Sequence, residues 1–198
     1  MKQAKELHKK VPDDYDIILK KALEHDYLKS HKIIFSWFPN HGSRFPTANT
    51  SLCNTIRVNA EYAARLVLFN DEATWNSYYL SVGHELTHSF FDPWIINHHG
   101  KNKKFVSWVR ELHADYGAAQ KMSNSNREKL IQGLKYKAKL KTIDEDSKSH
   151  PSWKRRIQYV SVFDFDDTLI KQVAKDVGCQ NKKIIKKQCE SYTYIYLK

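Results

Sequence analysis

The chain has 198 residues, a length that predicts one domain. Its hydrophobic fraction of 41% and charged fraction of 28% are ordinary for a globular protein, so a wholly disordered or collagen-like chain is excluded. The net charge of +11 would suit a nucleic acid partner, but the lysines are scattered along the sequence, which favours a role in solubility.

The first seventy residues combine one helical pattern with several strand patterns. Apolar spacing predicts a helix over residues 14–28, inside an N-terminal helical segment over residues 1–30. Short apolar runs predict strands over residues 33–38, 55–60 and 65–69. The last two strands are close enough in sequence to form a hairpin.

The rest of the sequence is mostly helical in pattern. Helices are predicted over residues 72–91, 105–122 and 127–140. Pro151 suits the first turn of a short helix, and Asp166 or Asp167 is expected to cap another one that ends near residue 177. The tail alternates in a weakly strand-like way at Tyr192, Tyr194 and Tyr196.

The cysteines and the hydropathy pattern bear on the compartment. Three cysteines without C-x-x-C spacing argue against a disulfide framework and against a thiolate zinc knuckle. No run of 18 apolar residues occurs, and the N-terminus lacks the apolar centre of a signal peptide. We therefore expect a cytoplasmic protein without membrane insertion.

The clearest chemical signal is an H-E-x-x-H motif that runs from His84 to His88 within a predicted helix. Residues i and i+4 share a helix face, so the two imidazoles can reach one zinc ion at about 2.0–2.1 Å. Glu85 projects beside the metal, where it can take a proton from a bound water and pass it to a leaving amine. A chance match on an exposed helix is the alternative, but the flanks are apolar and buried histidines need partners.

A catalytic zinc ion needs a third protein ligand. The metzincin extension requires Gly at 91 and His at 94, whereas the sequence has Phe91 and Trp94. The remaining candidates are a loop histidine, His98 or His99, and a carboxylate from the next predicted helix, Glu111.

Glu111 is the favoured third ligand. Asp115 lies one helical turn later on the same face, where it can accept the free N–H of a ligand imidazole and fix the ring. His113 falls on another face of the helix and is expected to be structural.

These motifs resemble those of a known family. H-E-x-x-H followed by E-x-x-A-D resembles the gluzincin metallopeptidases. Asn59-Ala60 resembles the N-A pair of the edge strand in neprilysin-like and HtpX/prenyl-protease-like enzymes, which pairs with the substrate backbone. The segment from His150 to Ile157 is similar to the H-P-x-x-x-x-R-[IL] element of the HtpX/prenyl-protease family.

The resemblance covers residues 55–160 and implies a zincin-like α+β fold. That fold would be mostly helical, with a small β-sheet flanking the active-site helix. Residues 1–198 would form a single metallopeptidase domain, with the catalytic core over residues 55–160 and a C-terminal helix and tail over residues 161–198. The family's transmembrane helices are lacking, so the chain looks like a soluble, minimal member.

The resemblance also implies a zinc metalloendopeptidase that acts on a peptide or protein. Glu85 would assist the attack of zinc-bound water on the peptide bond. His150 and Arg156 are carried over as catalytic residues that stabilise the oxyanion or hold a substrate carbonyl. Asn59 and Ala60 would bind an extended peptide through main-chain hydrogen bonds.

Other motifs support other classes of protein. His99-Gly100 is similar to the loop of SprT-like, DNA-associated zinc metalloproteins, in which a loop histidine would be the third ligand. A non-catalytic zinc-binding module is a further alternative. The D-x-D-x-T segment from Asp164 to Thr168 resembles the first motif of haloacid-dehalogenase-type phosphatases, but 30 residues follow it, too few for the rest of that fold. We interpret it as a loop and helix cap.

Overall fold

A computed structural model describes part of the chain. The described backbone covers residues 32–36, 48–51, 55–59, 69, 71–91, 102–121, 127–140 and 144–196. Four of the expectations above lie outside these residues: the helix over residues 14–28, Ala60, the strand over residues 65–69 apart from its last residue, and the loop that contains His98 and His99.

Three short strands are described as backbone. β1 (Lys32–Ser36) runs parallel to β3 (Thr55–Asn59), and β2 (Ala48–Ser51) runs antiparallel to β3. The strand order is β1-β3-β2, which makes β3 the central strand. The expectation of an edge strand at Asn59 is therefore wrong, because β3 has a hydrogen-bonded neighbour on each side.

Every element that contributes described side chains is a helix. Of the residues whose side chains are described, 80% are helical and none lies in a strand. The expected α+β class is therefore wrong for this part of the chain, which is mainly helical. Its helices are α1 (Glu72–Phe91), α2 (Lys103–Lys121), α3 (Arg127–Leu140), α4 (Trp153–Val162), α5 (Asp167–Asp176) and α6 (Lys182–Tyr196).

Helix α1 begins where Asp71 satisfies its free backbone donors. The Asp71 carboxylate accepts hydrogen bonds from the backbone N–H of Thr74 at 2.8 Å and from its hydroxyl at 3.0 Å. The helix packs mainly against α2 and α3. It is buried around most of its circumference, so polar side chains along it need partners inside the protein.

Two apolar clusters hold the helices together. The larger one joins α2, α4, α5 and α6, with Trp108, Leu112, Tyr159 and Val173 at its centre. The smaller one joins α1, α2, α3 and α4 through Leu80, Ala118, Leu130, Leu134 and Val160. Helices α2 and α4 contribute to both clusters, so their relative position is fixed from two sides.

Caps define the ends of the later helices. Ser152 caps α4, and its hydroxyl accepts the backbone N–H of Arg155 at 3.2 Å. Asp166 caps α5 by accepting the N–H groups of Thr168 and Leu169, which confirms the predicted cap. Gly178 has a φ of 71°, the left-handed conformation that commonly follows a helix and that favours glycine.

The tail is helical, so the strand predicted from its alternating tyrosines is wrong. Within α6, Ile185, Cys189 and Tyr192 follow helical spacing and pack against the larger cluster. Tyr192 is buried. This packing outweighs the local alternation, since tertiary contacts routinely override a short pattern.

Among the helices in the described ranges, none has the length and hydropathy needed to cross a bilayer.

Candidate metal centre

Helices α1 and α2 carry the three candidate ligands, and small residues let the two helices approach closely. A Cβ atom on Gly117 would lie 2.5 Å from the side chain of Thr87, and one on Gly83 would lie 3.0 Å from Ala118. Glycine at both positions therefore allows α1 and α2 to come together at the level of the ligands.

The nitrogen and oxygen atoms of these ligands lie at the spacing that a tetrahedral metal requires. Nε2 of His84 is 3.0 Å from Nε2 of His88. Glu111 Oε2 is 3.3 Å from Nε2 of His84, and Glu111 Oε1 is 3.5 Å from Nε2 of His88. Tetrahedral ligands at 2.0–2.1 Å from zinc lie about 3.3 Å from one another. His84, His88 and Glu111 therefore form a group that could hold a metal ion.

Glu111 supports this assignment. Its Oε2 atom is buried and accepts no hydrogen bond from any residue that the structure describes. Burial alone would raise the pKa of Glu111, but the imidazoles of His84 and His88 hold it well below its usual value. A buried carboxylate oxygen without a hydrogen bond is costly, and a bound cation would satisfy it.

Asp115 fixes the orientation of His84. Its Oδ1 atom is 2.9 Å from Nδ1 of His84, and the Asp115 side chain is fully buried. Burial would raise the pKa of Asp115, but the charge of Arg156 and the hydrogen bond with His84 lower it, so the carboxylate is ionised and can only accept. Nδ1 of His84 must therefore carry the hydrogen, which leaves the lone pair of Nε2 for a metal.

Desolvation of His84 by burial would lower its pKa. The hydrogen bond with Asp115 and the nearby carboxylate of Glu111 outweigh that effect and raise the pKa above its usual value. A ring made more basic by a carboxylate on its Nδ1 side is also a stronger donor to a metal at Nε2.

Arg156 lies behind the centre and not in the cleft. Its Nε donates to Asp115 Oδ2 at 2.7 Å, and its Nη2 donates to Asp115 Oδ1. The guanidinium also stacks over the ring of Trp153 at 4.1 Å, and the arginine is buried. Nε and Nη2 of Arg156 are bonded to Asp115, so the structure supports a positioning role behind His84, while the expected contact with a substrate stays a prediction.

A cleft of about 320 Å³ opens beside the three ligands. Glu85 lines it, next to the histidines that flank it in the motif. All of the described residues that line the cleft are polar: His84, Glu85, His88, Ser107, Arg110, Glu111, Ser149 and His150. The sequence did not single out Ser107 or Arg110. Their positions four and one residues before Glu111 on the same helix were the available signal.

His150 lies at the rim of the cleft. Its Nε2 is 3.3 Å from Glu111 Oε1, and its Nδ1 is 2.8 Å from the hydroxyl of Ser149. Partial burial, together with the positive charge of nearby Arg156, lowers the pKa of His150, so the imidazole is mainly neutral at pH 7.

Hydrogen bonds to α2 and α4 hold the loop that carries His150 in place. Asp146 accepts hydrogen bonds from the backbone N–H of Ser152 at 2.9 Å and from Nε of Arg155 at 2.7 Å. The indole N–H of Trp108 donates to the carbonyl oxygen of Ser147 at 3.0 Å. These bonds fix the loop relative to α2 and α4, and they bring His150 next to Glu111.

The other candidate residues contribute less to this centre. Asn59 is the last residue of β3, and only its backbone is described. His113 is buried, with its ring 4.7 Å from that of Tyr192 and 5.4 Å from that of Phe91. His113 is therefore part of an aromatic cluster away from the cleft, as its helix face predicted.

We compared the chain with protein-family models, with curated proteins and with solved structures, and none of them matches it. Any functional assignment therefore rests on the residues of the centre themselves.

Proposed function

We propose that the chain is a metal-dependent peptidase of the gluzincin type, with zinc as its metal. The observation that carries the proposal is the proximity of donor atoms on His84, His88 and Glu111. The two Nε2 atoms are 3.0 Å apart, and each lies 3.3–3.5 Å from one of the two carboxylate oxygens of Glu111, close to the edge length of a zinc tetrahedron. Glu85 lines the adjoining cleft, which supports a catalytic role and not only a structural one.

The metal, when bound, would supply Lewis acidity to the centre. Glu85 would accept a proton on its carboxylate from the attacking water and return it to the leaving amine. Nε2 of His150 faces the same cleft and would donate a hydrogen bond to the carbonyl oxygen as negative charge develops on it. Asp115 would keep the Nδ1 hydrogen of His84 in place throughout the reaction.

The nature of the third ligand supports the gluzincin proposal over the SprT-like alternative. Glu111 supplies the carboxylate, and Asp115 is bonded to the first histidine, as the resemblance implies. The two alternatives differ in metal retention. Glu111→Gln should release zinc under our proposal, whereas His99→Ala should leave the zinc content unchanged.

A cytoplasmic location is a second part of the proposal, and it rests on the cysteines. Among the described residues, Cys179 and Cys189 form no disulfide bond. Cysteines that are not joined in disulfides are typical of a reducing compartment.

Peptide-library cleavage tests the proposed activity. The zinc-loaded wild type should cleave library members, and Glu85→Gln should lose about 10²- to 10⁴-fold of that rate at unchanged zinc content. Glu128→Gln, an exposed glutamate of α3, is the matched control and should cleave like the wild type. Equal processing by wild type and Glu85→Gln would contradict the proposal.

A further inference from the structure

The composition of the cleft indicates what kind of substrate group it takes. None of its described lining residues is apolar, so this part of the cleft offers no hydrophobic pocket for an aliphatic or aromatic side chain. Ser107 and Arg110 lie one turn apart on α2 and line the same wall.

Arg110 is the only arginine or lysine among the described residues that line the cleft. The other arginine near the centre, Arg156, is bound to Asp115 on the far side. Arg110 is half-buried, so its guanidinium is partly shielded from water. An anion that meets it there would interact more strongly than at an open surface.

The charges of the cleft also favour a negatively charged substrate group. Its two carboxylates belong to Glu85 and Glu111. A divalent ion would balance both of them, and Arg110 would then leave the loaded cleft with a net positive charge. A guanidinium presents a planar fork of donors that matches a carboxylate in a bidentate manner.

We propose that Arg110 is a specificity-determining residue that binds a carboxylate group of the substrate beside the metal centre. This inference rests on the proposed peptidase function and names its substrate class. The carboxylate can come from an aspartate or glutamate side chain or from the C-terminus of the peptide. The first source would indicate cleavage within chains at acidic residues, and the second would indicate an exopeptidase.

Binding without cleavage tests the inference. The zinc-loaded Glu85→Gln protein is titrated with three labelled alanine-based hexapeptides, and Kd is measured by fluorescence anisotropy. One peptide carries a central Gln and an amidated C-terminus, the second a central Glu and an amidated C-terminus, and the third a central Gln and a free C-terminus. We expect the second or third to bind at least about tenfold more tightly than the first.

Replacements of Arg110 in the same Glu85→Gln background decide the cause of that preference. Arg110→Gln should bind all three peptides equally, and Arg110→Lys should keep only part of the preference because lysine lacks the planar fork. Lys171→Gln removes the same charge from an exposed position of α5 and should keep the full preference.

The inference is overturned if the parent protein shows no preference or no binding, or if the preference survives in Arg110→Gln. Zinc content and circular dichroism check each variant. If Arg110→Gln loses its zinc or its helical signal, Arg110→Lys decides, and an unchanged preference there overturns the inference. If the wild type cleaves peptides but the Glu85→Gln protein shows no carboxylate preference in binding, only this inference is contradicted. If the Glu85→Gln protein shows the preference but the zinc-loaded wild type cleaves no peptide, the peptidase proposal is contradicted.

Discussion

At the scale of single residues, the centre depends on a buried chain of charges. His84 is bonded to Asp115, and Asp115 is bonded to Arg156, which in turn stacks on Trp153. Each member satisfies the next, so removal of one leaves an uncompensated charge in the protein interior. This chain orients the first ligand from behind, on the side away from the cleft.

The Arg156→Gln replacement tests this chain. It leaves the Asp115 carboxylate buried without its cation, so we expect the free energy of unfolding to fall by about 3–5 kcal/mol. Metal affinity should also fall by about 10- to 100-fold, because the partner of His84 is no longer held. Urea unfolding and a metal titration measure the two effects.

Arg127→Gln is the matched control. Arg127 pairs with Asp164 at the surface, where the side chains are 41% and 83% exposed. An exposed pair contributes about 1 kcal/mol or less, and metal affinity should not change. Equal losses of stability in the two variants would mean that the buried chain has no special role.

The sequence indicated the three candidate ligands but not the contacts of Arg156. The spacing of His84 and His88 and the turn between Glu111 and Asp115 follow from helix geometry alone, so they can be predicted locally. Whether an arginine faces a cleft or a buried carboxylate depends on the packing of α4 against α1 and α2, which no local pattern encodes. The position of Arg110 in the cleft could not be predicted for the same reason.

At the scale of elements, the close contact of α1 and α2 sets the distance between the histidines and Glu111. Gly117→Ala would place a methyl group 2.5 Å from the side chain of Thr87, which requires the helices to shift. We expect a loss of about 1–3 kcal/mol in unfolding free energy together with a measurable loss of metal affinity. Thermal unfolding and a zinc titration provide the readouts.

Gly133→Ala is the control for this prediction. Its new methyl group would lie 3.1 Å from Leu80, at the contact between α1 and α3, and α3 carries no ligand. Both variants should lose stability, but only Gly117→Ala should weaken zinc binding. A similar loss of zinc affinity in Gly133→Ala would show that the contact at Gly117 does not specifically set the distance between the ligands.

The start of α4 gives a pH-dependent prediction. Burial would raise the pKa of Asp146, but hydrogen bonds from Ser152 and Arg155 lower it below its ordinary value of 3.8. A lowered pKa stabilises the fold above pH 3.8, and that contribution is lost as the pH falls through the lowered pKa. Asp146→Asn should therefore be less stable than the wild type at pH 6, with the difference shrinking below pH 3.8.

Urea unfolding at several pH values measures this difference. Lys171 pairs with Asp167 on the exposed face of α5, so Asp167→Asn is a suitable control with little expected effect at any pH. A stability gap between wild type and Asp146→Asn that stays constant from pH 6 to pH 3 would contradict the assignment.

The helix bounds were predicted correctly where the helix is long and its apolar pattern is strong. The bounds of α1 and α3 agree with prediction, since their apolar residues recur over several turns. The strand prediction for the tail was wrong because three alternating tyrosines are a short signal. The burial of Cys189 and Tyr192 against other helices favours a helix there.

At the scale of the whole molecule, the candidate ligands come from two helices that follow one another in the chain, α1 and α2. The α+β class was expected because the resemblance implies a zincin-like fold, yet every described side chain of the core belongs to a helix or to the loops between helices. The fold class depends on how the helices and strands pack together, and a resemblance of short motifs does not determine that packing.

Metal binding across α1 and α2 should stabilise the whole described fold. A ligand that binds only the folded state raises stability by RT ln(1 + [L]/Kd), which is about 2.7 kcal/mol at a hundredfold excess over Kd. We therefore expect a chelator to lower Tm and added zinc to restore it. In Glu111→Gln the chelator should have little effect, and a wild-type Tm that is insensitive to chelation would argue against a resident metal.

Anomalous diffraction at the zinc absorption edge, from crystals of the zinc-loaded protein, tests the central claim most directly. We expect one strong peak about 2.0–2.2 Å from Nε2 of His84, from Nε2 of His88 and from a carboxylate oxygen of Glu111. A map without a peak between these three side chains, or with Glu111 turned away from the histidines, would contradict it.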